Sequence, residues 1–253
     1  MEIRPDLNLQ QPLTPMPTSV LNLLLASTST VHGAPYLSYL KDAVLEHFSG
    51  CKTVAFVPFA RPGGITWDDY TARPQAVFAE WGLTLRGIHT WESPEAACAE
   101  ADGFFTGGGN TFLLLQTLQD HGWMDVLGQA VQQGKPYMGS SAGTNIAGLS
   151  IGTTNDMPIA HPKSLSSFGW VPFNLNPHYI APDPLSTHMG ETRDQRIAEF
   201  HAFHPQPVLG LREGSWLRAV GGQIHLNGTL PARLFQPGIE PSEIAPGRLL
   251  LGE

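Results

Sequence analysis

Lys135-Pro-Tyr-Met-Gly-Ser-Ser-Ala-Gly-Thr-Asn-Ile-Ala-Gly148 reads as a short strand that runs through two serines into a helix-like Thr144 to Ala147. Gly139 and Gly143 flank Ser141 in the spacing G-x-S-x-G. Small neighbours let the backbone fold sharply there and push one hydroxyl into a cleft. The following helix aims free N–H groups, and the positive end of its dipole, at an oxyanion formed when that hydroxyl attacks a carbonyl. Plain glycine-rich turns share so short a pattern, so the rest of the chain has to decide between nucleophile and turn.

Upstream, apolar runs and amphipathic stretches alternate. Val20 to Ala26 predicts a buried strand that leaves through Ser-Thr-Ser-Thr, and a helix follows from about Pro35 to Phe48. Thr53 to Phe59 repeats the strand, Trp67 to Trp81 the helix, Thr84 to His89 the strand, and Ser93 to Glu100 the helix. Asp102 to Thr106 is a further strand, ending in Gly107-Gly-Gly-Asn-Thr-Phe112, after which one helix is expected from Thr111 to Gln133. Alternation of this kind implies right-handed crossovers and a mainly parallel sheet covered by helices on both faces. Ligands bind at the carboxyl ends of such strands, which is where the glycine loop and Ser141 both fall. Gly108 and Gly109 can offer backbone donors beside Ala142, the residue after the nucleophile. A phosphate-binding reading of the same glycines is weaker, because no G-x-G-x-x-G pattern or P-loop lysine is present.

Composition excludes several classes. Only 14% of residues are charged and the net charge is −8, so there is no basic stripe for nucleic acid or an anionic membrane. Cys51 and Cys98 sit in no metal or redox spacing. No apolar run approaches the roughly 20 residues that span a bilayer, and no leader pattern opens the chain, so the expectation is a cytoplasmic protein. Residues 1–19 carry four prolines among polar residues and read as an extension; 20–253 read as a single α/β hydrolytic domain.

The second half supplies partners for the serine. His178 follows Pro177 at the end of a short strand and is placed to act as general base. Asp156 lies in Thr153-Thr-Asn-Asp-Met-Pro158, and Glu213 leaves a strand read from Val208 to Trp216. Either acid can orient the histidine.

These segments together resemble the peptidase E (α-aspartyl dipeptidase) family over about Leu23 to Trp216. The resemblance is carried by Phe56-Val-Pro-Phe-Ala60, Thr66-Trp-Asp-Asp-Tyr-Thr71, Gly107-Gly-Gly-Asn-Thr-Phe112, Gly139-Ser-Ser-Ala-Gly-Thr-Asn145, Thr153 to Pro158, Asn176-Pro-His178, Gly190-Glu-Thr-Arg-Asp-Gln-Arg196 and Glu213-Gly-Ser-Trp216. It implies a doubly wound α/β sandwich similar to the class I glutamine amidotransferases, and a cytoplasmic serine peptidase acting on dipeptides with an N-terminal aspartate. No metal or cofactor is implied; a small peptide is the partner expected, and the oligomeric state is left open, a homodimer being one option. Ser141 matches the family's nucleophile and His178 its base, while Asp156 and Glu213 both match positions proposed for the third member. Glu213 is favoured because a carboxylate leaving a core strand is held beside the cleft. Gly108, Gly109, Asn110, Ala142 and Arg193 are the oxyanion and substrate-binding residues expected. Two departures stand out: the proline-rich extension, and Ser140, where the family carries a bulky aromatic, which questions the pocket's width. Competing readings are a broader aminopeptidase or dipeptidase, a cyanophycinase-like hydrolase, and a catalytically silent module that binds a small metabolite.

Overall fold

A computed structural model describes residues 20–183, 185, 187 and 189–249; the proline-rich stretch 1–19 lies outside them. The elements run β1 (Asn22–Ala26), α1 (Lys41–His47), β2 (Thr53–Val57), α2 (Trp67–Glu80), β3 (Thr84–Gly87), α3 (Pro94–Glu100), β4 (Gly103–Thr106), α4 (Thr111–Asp120), α5 (Trp123–Gln132), β5 (Tyr137–Ser140) and α6 (Ala142–Asn145). The second half adds β6 (Asn174–Pro177), α7 (Arg193–His201), β7 (Val208–Leu211), β8 (Trp216–Val220), β9 (Gln223–Asn227), β10 (Ala232–Gln236), β11 (Ile239–Ile244) and β12 (Gly247–Arg248).

The large sheet has the order β12-β9-β8-β1-β5-β4-β2-β3, parallel from β1 to β3 and antiparallel from β1 outward to β12. Its central strands β1, β2, β4 and β5 are buried on both sides, as parallel strands covered by helices must be. Leu24, Ala26, Val54, Phe56, Phe105 and Met138 face one way, into a core shared with Val44 and Phe78 of α1 and α2. Leu23, Leu25, Ala55, Val57, Phe104 and Tyr137 face the other, against residues of α3, α4 and α5. Steps from β1 to β2 and from β2 to β3 advance along the sheet with their helices on the first face. Steps from β3 to β4 and from β4 to β5 return with theirs on the second. Reversing direction while keeping right-handed crossovers forces the helices to change face, which is what makes the sheet doubly wound.

Three expectations are corrected. The single helix read from Thr111 to Gln133 is two, because Gly122 takes φ 73°, a left-handed turn that ends α4 and starts α5. The helix read from Pro35 is a short turn over Ser38–Leu40 followed by α1. The strand read from Val208 to Trp216 is β7, a turn through Gly214 at φ 85°, and β8 in the other sheet. A second sheet of order β11-β10-β7-β6 therefore exists beside the first, with β6 and β7 parallel. Its residues Leu175, Leu209, Leu211 and Leu234 join the same core as Leu23 and Tyr137. This packing sets the ends of β6 and β7 beside the end of β1.

His47, in the last turn of α1, is buried with its ring centroid 4.7 Å from that of Phe48. Burial, aided by the charge of Arg218, pushes its imidazole down to about 3. A histidine lowered in the fold stabilises it above the unfolded value of about 6.5, and that contribution is lost as pH falls toward the folded value. The thermal midpoint should therefore drop on acidification from about pH 7 to about pH 4, with a shallower drop in His47→Phe, read by circular dichroism across the range.

Candidate active site

β5 ends at Ser140, and Ser141 turns the chain with φ 53° and ψ −112° before α6 begins. The turn is tight because β-carbons are missing at two places. One added at Gly143 would collide with the Thr106 carbonyl at the end of β4, and one at Gly139 would strike the Gly143 carbonyl. Ser141 N–H donates to Ala26 O at 3.1 Å, Thr144 Oγ1 donates to the same carbonyl at 2.6 Å, and Tyr137 Oη donates to Gly143 O at 2.7 Å. The elbow is thus clamped between β1 and β4.

The Ser141 hydroxyl lies 2.9 Å from His178 Nε2, and His178 Nδ1 lies 2.7 Å from Glu213 Oε1. With its proton on Nδ1 the imidazole donates to the carboxylate and accepts from the hydroxyl. His178 follows β6, with φ 55°, and Glu213 follows β7, so the second sheet delivers both. Their side chains are 38% and 51% exposed, which leaves the pair open to solvent.

The loop after β4 borders the serine. A β-carbon on Gly108 would stand 3.0 Å from that of Ser141. Among the described residues, the N–H groups of Gly108, Gly109 and Ala142 donate to no protein acceptor. Asn110 is differently engaged: its Oδ1 caps α4 by accepting from Leu113 N–H at 3.0 Å, and its Nδ2 donates to Met157 O at 2.8 Å. Asp156 is not in the serine's chain of hydrogen bonds. Its Oδ2 accepts from Thr111 N–H at 2.7 Å, from Thr111 Oγ1 at 2.5 Å and from Thr154 Oγ1 at 3.1 Å, at the start of α4, where a carboxylate meets the helix dipole favourably. Arg193 opens α7, whose capping box joins Thr192 and Gln195, and makes no ion pair within 4 Å among the described residues. Partial burial and the neighbouring Arg196 lower its guanidinium, while Asp156 acts in the opposite sense. Ser140 is wholly buried, so its small side chain widens no open pocket.

The sequence model of peptidase family S51 matches residues 23–227. The chain belongs to peptidase family S51. A protein named peptidase E from Streptomyces coelicolor is 49% identical over 227 residues, covering 90% of this chain and 92% of its own. One from Drosophila melanogaster, named "Probable alpha-aspartyl dipeptidase", is 46% identical over 231 residues, covering 90% and 95%. The crystal structure of a peptidase from an acI-B1 Actinobacterium shares the fold at a TM-score of 0.64 and 14% identity, over 90% of this chain and 95% of that one.

Within this S51 peptidase, sequence reasoning missed the residues that hold the histidine. Ser27, fully buried just past β1, donates from Oγ to Leu211 O at 2.8 Å and accepts His178 N–H at 2.9 Å, so one hydroxyl ties the ends of β1, β6 and β7 together. Its place at a strand's carboxyl end was the available signal. Behind the pair, Tyr179 Oη donates to Asp194 Oδ1 at 2.6 Å and Arg233 donates to Asp194 Oδ2 at 2.9 Å. Arg233 also donates to Glu243 at 3.1 Å, and Arg212 forks onto that carboxylate at 2.7 and 2.9 Å. The arginines, Arg212 foremost, hold the Glu243 carboxyl below its ordinary value. Tyr179 and Arg212 are the chain neighbours of His178 and Glu213, so the network fixes both backbones.

Ser27→Ala should strand the His178 N–H without its acceptor, costing about 1 kcal/mol of stability. Denaturant unfolding measures that loss, and kcat should fall more than KM rises.

Proposed function

We propose that this S51 peptidase hydrolyses dipeptides bearing an N-terminal aspartate, with Ser141 as nucleophile, His178 as general base and Glu213 as third member of the triad. The observation that carries the reading is the unbroken line of two hydrogen bonds from the Ser141 hydroxyl through His178 to Glu213. His178 takes the hydroxyl proton as Ser141 attacks the scissile carbonyl, and returns it to the leaving amine as the acyl-enzyme forms. Free N–H groups of Ala142, Gly108 and Gly109 receive the oxyanion. Water, activated by the same imidazole, then releases aspartate.

Substrate class follows from charge. Aspartate at the N-terminus brings a β-carboxylate and an ammonium, and the protein is acidic overall, so the carboxylate needs a local cation. Arg193 serves as that cation, and the Asp156 Oδ1, which accepts nothing among the described residues, faces the ammonium. The name of the relative from Drosophila, "Probable alpha-aspartyl dipeptidase", supports aspartyl dipeptides as the substrate class. The enzyme works on a small peptide without metal or cofactor, in the cytoplasm, as a homodimer. Free Cys51 and Cys98, both with thiols pushed up to about 11 by burial, suit a reducing compartment.

Ser141→Ala should lower kcat by about a thousandfold or more, with Asp-X hydrolysis followed by amine release. Turnover within about tenfold of the parent would remove the nucleophile assignment. Glu213→Gln should lose more kcat than Asp156→Asn, whose main effect should be on KM. Arg193→Met should reduce kcat/KM on Asp-X selectively over Asn-X and Ala-X, by about a hundredfold. An equal loss on all three substrates would make Arg193 structural.

A further inference from the structure

In the large sheet β5, β4 and β2 are consecutive neighbours, so the loops leaving their carboxyl ends stand side by side. Contacts join each to the next. Gly108 lies against Ser141, as its closeness to the Ser141 β-carbon shows. Asn110 N–H donates to Ala60 O at 2.7 Å, stitching the β4 loop to the β2 loop, and the Tyr70 hydroxyl of α2 donates to Gly108 O at 2.7 Å. The residue after Ala60 is Arg61, exposed, with its guanidinium carbon 5.1 Å from the centre of the Tyr70 ring. The arginine thus lies over a ring that is itself bonded to the nucleophile's neighbour, on the opposite side from His178.

Arg61 is one of several cations, with Lys41, Lys52, Arg73, Arg193 and Arg248, that pair with no acid within 4 Å among the described residues. Lys163, Arg196, Arg212 and Arg233 each pair with an acid among the described residues. Arg86, Lys135 and Arg218 are spent on threonine or backbone oxygens. At the cleft's edge Arg61 and Arg193 have no acid partner within 4 Å among the described residues. An Asp-X dipeptide presents two carboxylates to this acidic protein, its β-carboxylate and the C-terminal one of the leaving residue. The aspartate selector accounts for only the first.

We propose that Arg61 binds the free C-terminal carboxylate of the leaving residue and so makes the site a reader of dipeptides. The inference rests on the aspartyl dipeptidase reading above. Reach is adequate: two strand spacings, about 9.5 Å, separate β5 from β2. The leaving residue spans about 3.5 Å of this, and the arginine's long side chain covers the rest. The Tyr70 ring lies beside the guanidinium, whose planar fork suits a two-point contact with a carboxylate.

The test compares Asp-Leu with Asp-leucinamide, which replaces only the terminal carboxylate by a neutral amide. The parent should prefer Asp-Leu by about tenfold or more in kcat/KM. In Arg61→Met the preference should collapse, with a loss on Asp-Leu of about 10–100-fold, carried mostly by KM, and Arg61→Lys should recover part of it. Circular dichroism confirms folding, which an exposed substitution should leave intact. A parent that cleaves Asp-Leu and Asp-leucinamide equally, or an Arg61→Met that keeps the parent's ratio within about threefold, overturns this inference alone. A parent that cleaves neither overturns the dipeptidase reading and this inference with it.

Discussion

The clamp on Ser141 is the constraint on which the rest depends. A non-glycine residue at φ 53° and ψ −112° costs on the order of 1–3 kcal/mol, and it persists only where the surroundings over-determine it. Here they do so from both sides: Ala26 accepts from Ser141 and Thr144, while the Thr106 carbonyl crowds the space where Gly143 has no side chain. Because β5 lies between β1 and β4, a shift of either neighbour would move the hydroxyl. Strand order and the geometry of the Ser141 turn are in this sense one property.

Nothing in the large sheet can supply the imidazole, however, because its neighbouring strand ends are occupied by Ser27 and the glycine loop. The second sheet solves this by running β6 and β7 parallel, so that two adjacent carboxyl ends point at one cleft. Ser27 is where the two sheets are registered against each other, and the Asp194–Arg233–Glu243–Arg212 network sets the spacing of the two loops on the far side. His178 itself sits at φ 55°, so the histidine as well as the serine is held in a conformation the chain would not choose locally.

How much of this could be read beforehand follows from where the information lies. Local patterns were legible: Gly139-x-Ser141-x-Gly143, the glycine loop and the alternation of β1 to β5 depend on residues near one another in sequence. Features set by distant contacts were not. A single helix from Thr111 to Gln133 was a fair reading of apolar periodicity, and only the conformation of Gly122 divides it. The Val208 to Trp216 run looked continuous because β7 and β8 are both apolar, although they join different sheets. Ser27 carries no motif at all; its role arises from contacts 151 and 184 residues away. Asp156 and Glu213 could be ranked only weakly, since each follows from a loop whose course the sequence does not fix.

Exposure bears on what Glu213 contributes. A contact as open to water as that of His178 with Glu213 is heavily screened, so its charge cannot be what stabilises the arrangement. Its geometric effect is larger. A carboxylate 2.7 Å from Nδ1 keeps the proton on that nitrogen and leaves Nε2 free to accept from Ser141, which no unpartnered imidazole in water would do consistently. The arginine–carboxylate network behind the pair acts on the backbone and not on the ring, which lets the cleft stay open to a charged peptide while the imidazole keeps its direction.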